Sequence, residues 1–183
     1  MRASVRRVLI VMPVVLVVSA IAGRMFFSIR DDLAGQRDAI ASGWSAVDQA
    51  LQQRAGLIAS LTAVAQRFAA VQPDLLKEIA DAHAIVTSGP APQEKVRAND
   101  RLSLALARLL VAAENYPRLR SNPGFLRSQD EIKSSEDRIA LARRKYNDSL
   151  EHYNARIQSF PYNLVARVSG FGRNDEYFPT EHF

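Results

Sequence analysis

Two kinds of apolar pattern divide the chain. Val8 to Gly23 is a run of 16 residues without a charge, and beyond it apolar residues recur at helical spacing instead. Coiled as a helix, the run spans about 24 Å, slightly short of a hydrocarbon core of roughly 30 Å. Met25, Phe26, Phe27 and Ile29 complete the crossing once Arg24 snorkels toward the headgroups. Residues 8–29 therefore predict a transmembrane helix in contact with the lipid bilayer. Ala20-Ile21-Ala22 ahead of Gly23 also fits a leader-cleavage site, which leaves a soluble periplasmic binding protein as an alternative. Both readings place the rest of the chain across the membrane, and Arg2, Arg6 and Arg7 before the run favour a cytoplasmic tip.

From Leu33 onward a spacing of four and three selects Ile40, Trp44, Val47, Leu51, Ile58, Leu61, Ala65 and Phe68. This is the 3.5-residue repeat of a long bundle helix, and Leu57 and Val64 widen its stripe for a second neighbour. Gly35, Gly43 and Gly56 interrupt good helix formers and mark bends or close approaches. The helix is expected to stop near Val71, ahead of Pro73. Pro73 and Asp74 open a second helix with Leu75, Leu76, Ile79, Ala82 and Val86 inward. Ser88-Gly89-Pro90-Ala91-Pro92 breaks the chain. A third helix follows from about Gln93 to Glu114, with Val96, Leu102, Leu106, Leu109, Leu110 and Ala113 inward. Asn122 and Pro123 start a fourth, whose stripe is Ile132, Ile139, Tyr146, Leu150, Tyr153, Ile157 and Phe160.

No alternation of strand type occurs, so the fold class is all-α. Amphipathic helices joined by short turns bury their stripes against one another, which predicts an up-and-down four-helix bundle behind the transmembrane helix. Three rods, the middle one kinked at Gly89 to Pro92, remain the other topology. The expected divisions are an anchor over 1–30, an antiparallel bundle over 31–160, and an aromatic tail over 161–183 packed on the bundle end.

Charge changes the functional picture. Arg2, Arg6, Arg7, Arg24 and Arg30 account for the whole formal charge of +5, so the remainder of the chain is neutral. A nucleic-acid binder carries its basic excess on the folded part, so no nucleic-acid partner is expected. The absence of cysteine excludes disulfides, thiolate metal sites and thiol nucleophiles. His83, His152 and His182 stand apart without E-x-x-H or H-E-x-x-H spacing, so no metal is expected. Gly170-Phe171-Gly172 lacks the flanking strand and helix of a phosphate loop, and no nucleophile motif occurs, so no cofactor and no catalytic residue are assigned. The cluster Arg138, Arg143, Arg144 and Lys145 reads as a solvated face.

Charged residues inside the apolar stripes carry more information. Extending the first helix's register puts Arg37 and Arg54 on the seam, and extending the fourth's puts Glu136 and Arg143 there. An unpaired buried guanidinium costs several kcal/mol, so a partner is required. The expected network joins Arg54 to Glu136, or to Glu114 of the third helix, with Arg143 nearby. The last 24 residues hold six of the fourteen aromatic side chains, unlike a solvated tail. Either the tail covers one end of the bundle, or Phe171, Tyr177 and Phe178 dock a partner or lipid headgroups.

Several segments resemble the LemA family of bacterial membrane-anchored proteins. They are Trp44-Ser45-Ala46-Val47-Asp48, Gln53-Arg54-Ala55-Gly56-Leu57-Ile58, Ala113-Glu114-Asn115-Tyr116-Pro117 and Ser135-Glu136-Asp137-Arg138-Ile139-Ala140. Ala142-Arg143-Arg144-Lys145-Tyr146-Asn147, Tyr153-Asn154, Phe160-Pro161-Tyr162-Asn163-Leu164-Val165-Ala166, Gly170-Phe171 and Tyr177-Phe178 follow in the family's order. The resemblance covers roughly residues 26–178 and departs from the family at Gly56-Leu57-Ile58-Ala59, where an acid and a proline are usual. It implies one transmembrane helix, a bromodomain-like bundle of mirror topology, and no established enzymatic activity. Members look like membrane-organisation proteins, one branch belonging to magnetosome membranes. The expectation is thus a non-enzymatic interaction or scaffolding module on the inner (cytoplasmic) membrane, its bundle on the periplasmic side. Its partner would be an envelope protein or a second copy in a homo-oligomer. The alternative class is an accessory protein of a membrane protease or other envelope enzyme.

Overall fold

Prolines set the helix starts. Pro73, Pro92, Pro117 and Pro123 each occupy the first turn of a helix, where the missing N–H costs no hydrogen bond and the fixed φ suits the coil. The computed structural model describes residues 2–68, 72–89 and 91–178, with side chains from Met12 onward. The described residues form six helices: α1 (Arg2–Gln66), α2 (Pro73–Ser88), α3 (Pro92–Ala113), α4 (Pro117–Arg120), α5 (Pro123–Gln158) and α6 (Tyr162–Ser169). No strand occurs among the described residues, so the protein is all-α.

The apolar run and the first periodic stripe are one helix, α1, of 65 residues. It is long and apolar enough at its N-terminal end to cross a membrane, and every side chain from Met12 to Ala22 is exposed. The helix gives way to a turn at Arg67–Phe68; Val71, its expected end, lies outside the described residues. Gly89 ends α2, its N–H donating to the Ile85 carbonyl. α2 and α3 fold back on each other rather than forming one kinked rod, with Arg108 Nη1 donating to Glu78 Oε2 at 2.7 Å. Asn122 caps α5, its Oδ1 accepting from the N–H groups of Gly124 and Phe125.

Contacts gather into two units. The first comprises Met1–Ala41 and Asp148–Tyr177. Its core is Ile29, Leu33 and Ile40 of α1, Leu150, Tyr153 and Ile157 of α5, and Val165 and Ala166 of α6. Helix α6 opens the aromatic tail, for which the sequence pattern gives no helix, and Gly170, at φ +74°, closes it in the left-handed conformation that glycine adopts freely. Phe160 departs from its expected seam position: α5 ends at Gln158, the periodicity is lost with it, and the ring is 79% exposed.

The second unit comprises Ser42–Asn147 and Phe178–Phe183. α1 supplies Val47, Leu51, Ala55, Ile58, Leu61 and Ala65, and α2 supplies Leu75, Ile79, Ala82 and Val86. Val96, Leu102, Leu106, Leu109 and Ala113 enter from α3, with Phe125, Ile132, Ile139 and Tyr146 from α5. Each fully buried Leu or Ile contributes about 1.5–3 kcal/mol, so these stripes hold the unit together. At Gly43 the helices come close: a Cβ there would stand 3.4 Å from Tyr146 Cα.

Candidate functional site

Arg54 shares the register of Leu51, Ile58 and Leu61, so helical geometry turns its guanidinium into the interior of the second unit, where it is 2% exposed. Two other helices meet it there. From α3, Asn99 Oδ1 and Ser103 Oγ accept from Arg54 Nη1 at 2.8 and 3.0 Å. From α5, Glu136 Oε1 accepts from Nη2 at 2.7 Å. Arg54 Nε is buried and makes no hydrogen bond. The carboxylate sits at the rim, 52% exposed, so the charge pair runs from interior to surface.

The expected residues thus separate. Arg54 and Glu136 are brought together. Glu114 is exposed at the end of α3, beside Leu110, Arg120 and Phe125 around a depression of about 220 Å³, and takes no part in Arg54's hydrogen bonds. Arg143 is mostly covered, its Nη2 3.9 Å from Asp100 Oδ1, with Nε and Nη2 buried and unbonded. Burial pushes its pKa below the ordinary arginine value, Asp100 draws it back up, and the like charge of Arg54 adds to the fall. Arg37, placed on the seam by register, is exposed instead and lies over the Phe171 ring, 5.5 Å from its centroid.

Sequence reasoning missed Asn99 and Ser103, although Asn99 follows Val96 by three and precedes Leu106 by seven on the same stripe of α3. It also missed the ion pair of Lys95 Nζ with Asp48 Oδ1 at 2.7 Å, which joins α3 to α1. Ser103 Oγ donates to the Asn99 carbonyl while accepting from Arg54, so its hydroxyl is committed at both ends. Chemically, the arrangement fixes helix register. A separate surface groove of about 550 Å³, lined by Gln53, Leu57, Arg127, Asp130, Glu131, Ser134 and Arg138, carries charges of both signs.

The aromatic tail is held by asparagines. In the second unit Asn147 uses both ends of its amide on Phe178, accepting from its N–H at 3.0 Å and donating to its carbonyl at 2.8 Å. The Phe178 ring is buried between Trp44 and Tyr146, with centroids 5.4 and 4.8 Å away, so it serves the interior rather than a docking surface. In the first unit Asn154 grips Asn174 in the same two-ended way and donates to the Tyr177 hydroxyl. Tyr153 donates to the Gly172 carbonyl at 2.8 Å. Tyr177 stays 40% exposed and Phe171 is half-buried. His83 is half-buried on α2 and His152 exposed on α5; His182 and Phe183 lie outside the described residues.

The family model that matches the chain is described as LemA family and spans residues 43–182. Magnetosome protein MamQ 2 of Paramagnetospirillum magneticum is 38% identical over 74 residues, 40% of this chain and 27% of its own length. Magnetosome protein MamQ of Magnetospirillum gryphiswaldense is 32% identical over 94 residues, 51% of this chain and 34% of its own. The chain therefore spans about a third of the length of these curated relatives.

Proposed function

The chain belongs to the LemA family, and from that premise we propose that it is a single-pass membrane protein whose helical body is a non-enzymatic interaction module. The observation that carries this reading is the exposed apolar stretch of α1, Met12 to Ala22, which runs without a break into the helix carrying the core. In water, that many bare Val, Leu and Ile side chains on one helix are unfavourable; in a bilayer they are solvated. Residues 8–29 cross the inner (cytoplasmic) membrane, and Arg2, Arg6 and Arg7 ahead of the run favour a body on the periplasmic side. Antiparallel α2 and α3 and the polar contacts joining α1, α3 and α5 support an up-and-down four-helix bundle of the bromodomain-like mirror topology.

Confining the body to a surface raises its effective concentration toward partners there, which is how such a module organises a membrane. The partner is an envelope protein or a second copy of the chain, and the relatives named for the magnetosome favour membrane organisation as the setting.

The test uses the full chain in a bacterial host. Since the protein has no cysteine, Arg118→Cys on exposed α4 creates a unique label site. Retention in membranes through alkaline carbonate washing, an unshortened intact mass, and labelling of the introduced thiol in whole cells by an impermeant maleimide are expected. Release by carbonate overturns the anchor. Labelling only after lysis overturns the periplasmic placement, and substrate turnover by the purified chain overturns the non-enzymatic role.

A further inference from the structure

Leu164 and Val168 stand four residues apart on the outer side of α6, 55% and 76% exposed, and Phe160, in the turn leading into it, is 79% exposed. Val165 and Ala166 are buried on the inner side. Three bare apolar side chains on so short an element have no use in water. Their place in the first unit supplies one. The flanks of α6 lie against α1 just beyond its apolar stretch: Arg156 Nε is 4.0 Å from Asp32 Oδ2, and Phe171 lies under Arg37. On α1, Phe27 is still 60% exposed and Ile29 is already 6%. Asp32 is five residues past Phe27, about 8 Å along the helix axis, against roughly 5–8 Å for one headgroup layer.

Charge agrees with position. The one charge on α6 is Arg167, while Arg156 before it and Arg173 after it stand beside Asp32 and Asp175. Arg167 is exposed on α6 between Leu164 and Val168. Tyr162, at the start of α6, stacks on the Arg156 guanidinium at 4.9 Å, an aromatic and a cation of the kind that settle at headgroup depth. We propose that α6 is a second membrane contact, an interfacial helix that seats Phe160, Leu164 and Val168 among the acyl-chain ends of an anionic lipid surface beside the point where α1 leaves it. This rests on the reading of α1 as membrane-spanning. The occupant is lipid rather than a protein because the residues leading into α6 meet α1 at Asp32, about one headgroup layer past Phe27, and the helix sets the exposed cation Arg167 between bare Leu164 and Val168.

The experiment places an environment-sensitive fluorophore on single cysteines introduced at Val17, Leu104 and Val168, in the full chain reconstituted into vesicles of phosphatidylglycerol and phosphatidylethanolamine. Bromines sit on the lipid chains at either shallow or deep positions. Because all three sites are exposed, the labels leave the melting temperature unchanged. The Val168 label is expected to shift to the blue and to lose emission most with shallow bromines. The Val17 label should lose most with deep ones, and the Leu104 label should behave as in water. In phosphatidylcholine alone the Val168 shift should shrink. A water-like Val168 label beside a quenched Val17 label overturns the inference and leaves the anchor standing. A blue-shifted Val168 label that bromines do not quench means protein covers α6, and also overturns it. An unquenched Val17 label overturns the spanning reading, and the inference falls with it.

Discussion

Replacing Arg54 with leucine isolates what the buried polar network does. The substitution removes three hydrogen bonds, but the groups left behind differ in their fate. Glu136 is 52% exposed and turns to water at little cost. Asn99 is 6% exposed and cannot, so its amide oxygen is stranded. A stranded buried acceptor costs about 1–3 kcal/mol, and the lost charge-assisted bond adds a part of its roughly 1.5–3 kcal/mol. The net loss is about 2–3 kcal/mol, a fall in melting temperature of roughly 5–10 °C for a domain of this size. Rescue should follow the stranded group: Arg54→Leu with Asn99→Leu recovers most of the loss, whereas Arg54→Leu with Glu136→Leu recovers little. Glu136→Leu alone should cost more than Arg54→Leu, because it leaves a buried guanidinium facing only neutral acceptors. Thermal melts by circular dichroism in detergent micelles read all five proteins. A single Arg54→Leu melting within about 2 °C of the parent refutes the reasoning, as does equal rescue by the two double variants.

Arg143→Met is expected to leave stability unchanged or raise it by up to about 2 kcal/mol, since it removes a desolvated cation with two unbonded nitrogens next to Arg54; a melting temperature lower by more than about 4 °C counts against this. Gly35→Ala and Gly56→Ala each place a methyl group in open space within a helix and should stabilise by about 1 kcal/mol, additively in urea titrations. Burial holds the Tyr153 phenol above the ordinary tyrosine pKa, with Arg37 partly opposing. The unfolded chain therefore ionises first, and stability present at neutral pH is lost as pH climbs above about 10. Tyr153→Phe should flatten that alkaline loss while lowering the neutral urea midpoint by the worth of its bond to Gly172, and an unchanged alkaline slope would exclude Tyr153 as its source.

Much of this architecture can be read from period and punctuation. Leu33, Ile40, Val47, Leu51, Ile58, Leu61 and Ala65 are all buried as the 3.5-residue spacing requires, and α2, α3 and α5 start at or beside the prolines that mark them, whereas the short α4 at Pro117 has no apolar period to announce it. The meeting of Arg54 with Glu136 follows from the same register rule. Asn99 and Ser103 obey it too, but a small polar side chain in a stripe is easily read as a gap rather than a partner. Helix α6 opposes its own local signals, with Asn163 and β-branched Val165 and Val168; packing of Val165 and Ala166 overrides propensity there. The tail grips escape pattern reading because they join side-chain amides to backbone, for which no spacing rule exists. Even so, Tyr146-Asn147 and Tyr153-Asn154 repeat seven residues apart, each asparagine next to a buried tyrosine, and each grips the backbone of one tail residue.

The unbroken course of α1 sets how this protein experiences its membrane. At 1.5 Å per residue its 65 residues extend about 98 Å, and no loop intervenes between Ala22, bare of protein, and Leu33, sealed within it. With residues 8–29 anchored as proposed, α1 offers no loop to act as a swivel at the waterline. When a bilayer thins and its embedded helix leans to compensate, Leu33 and everything packed on it must lean as well. The helix behaves as a mast stepped directly into the hull, reporting strain in the lipid as a change of pitch above it.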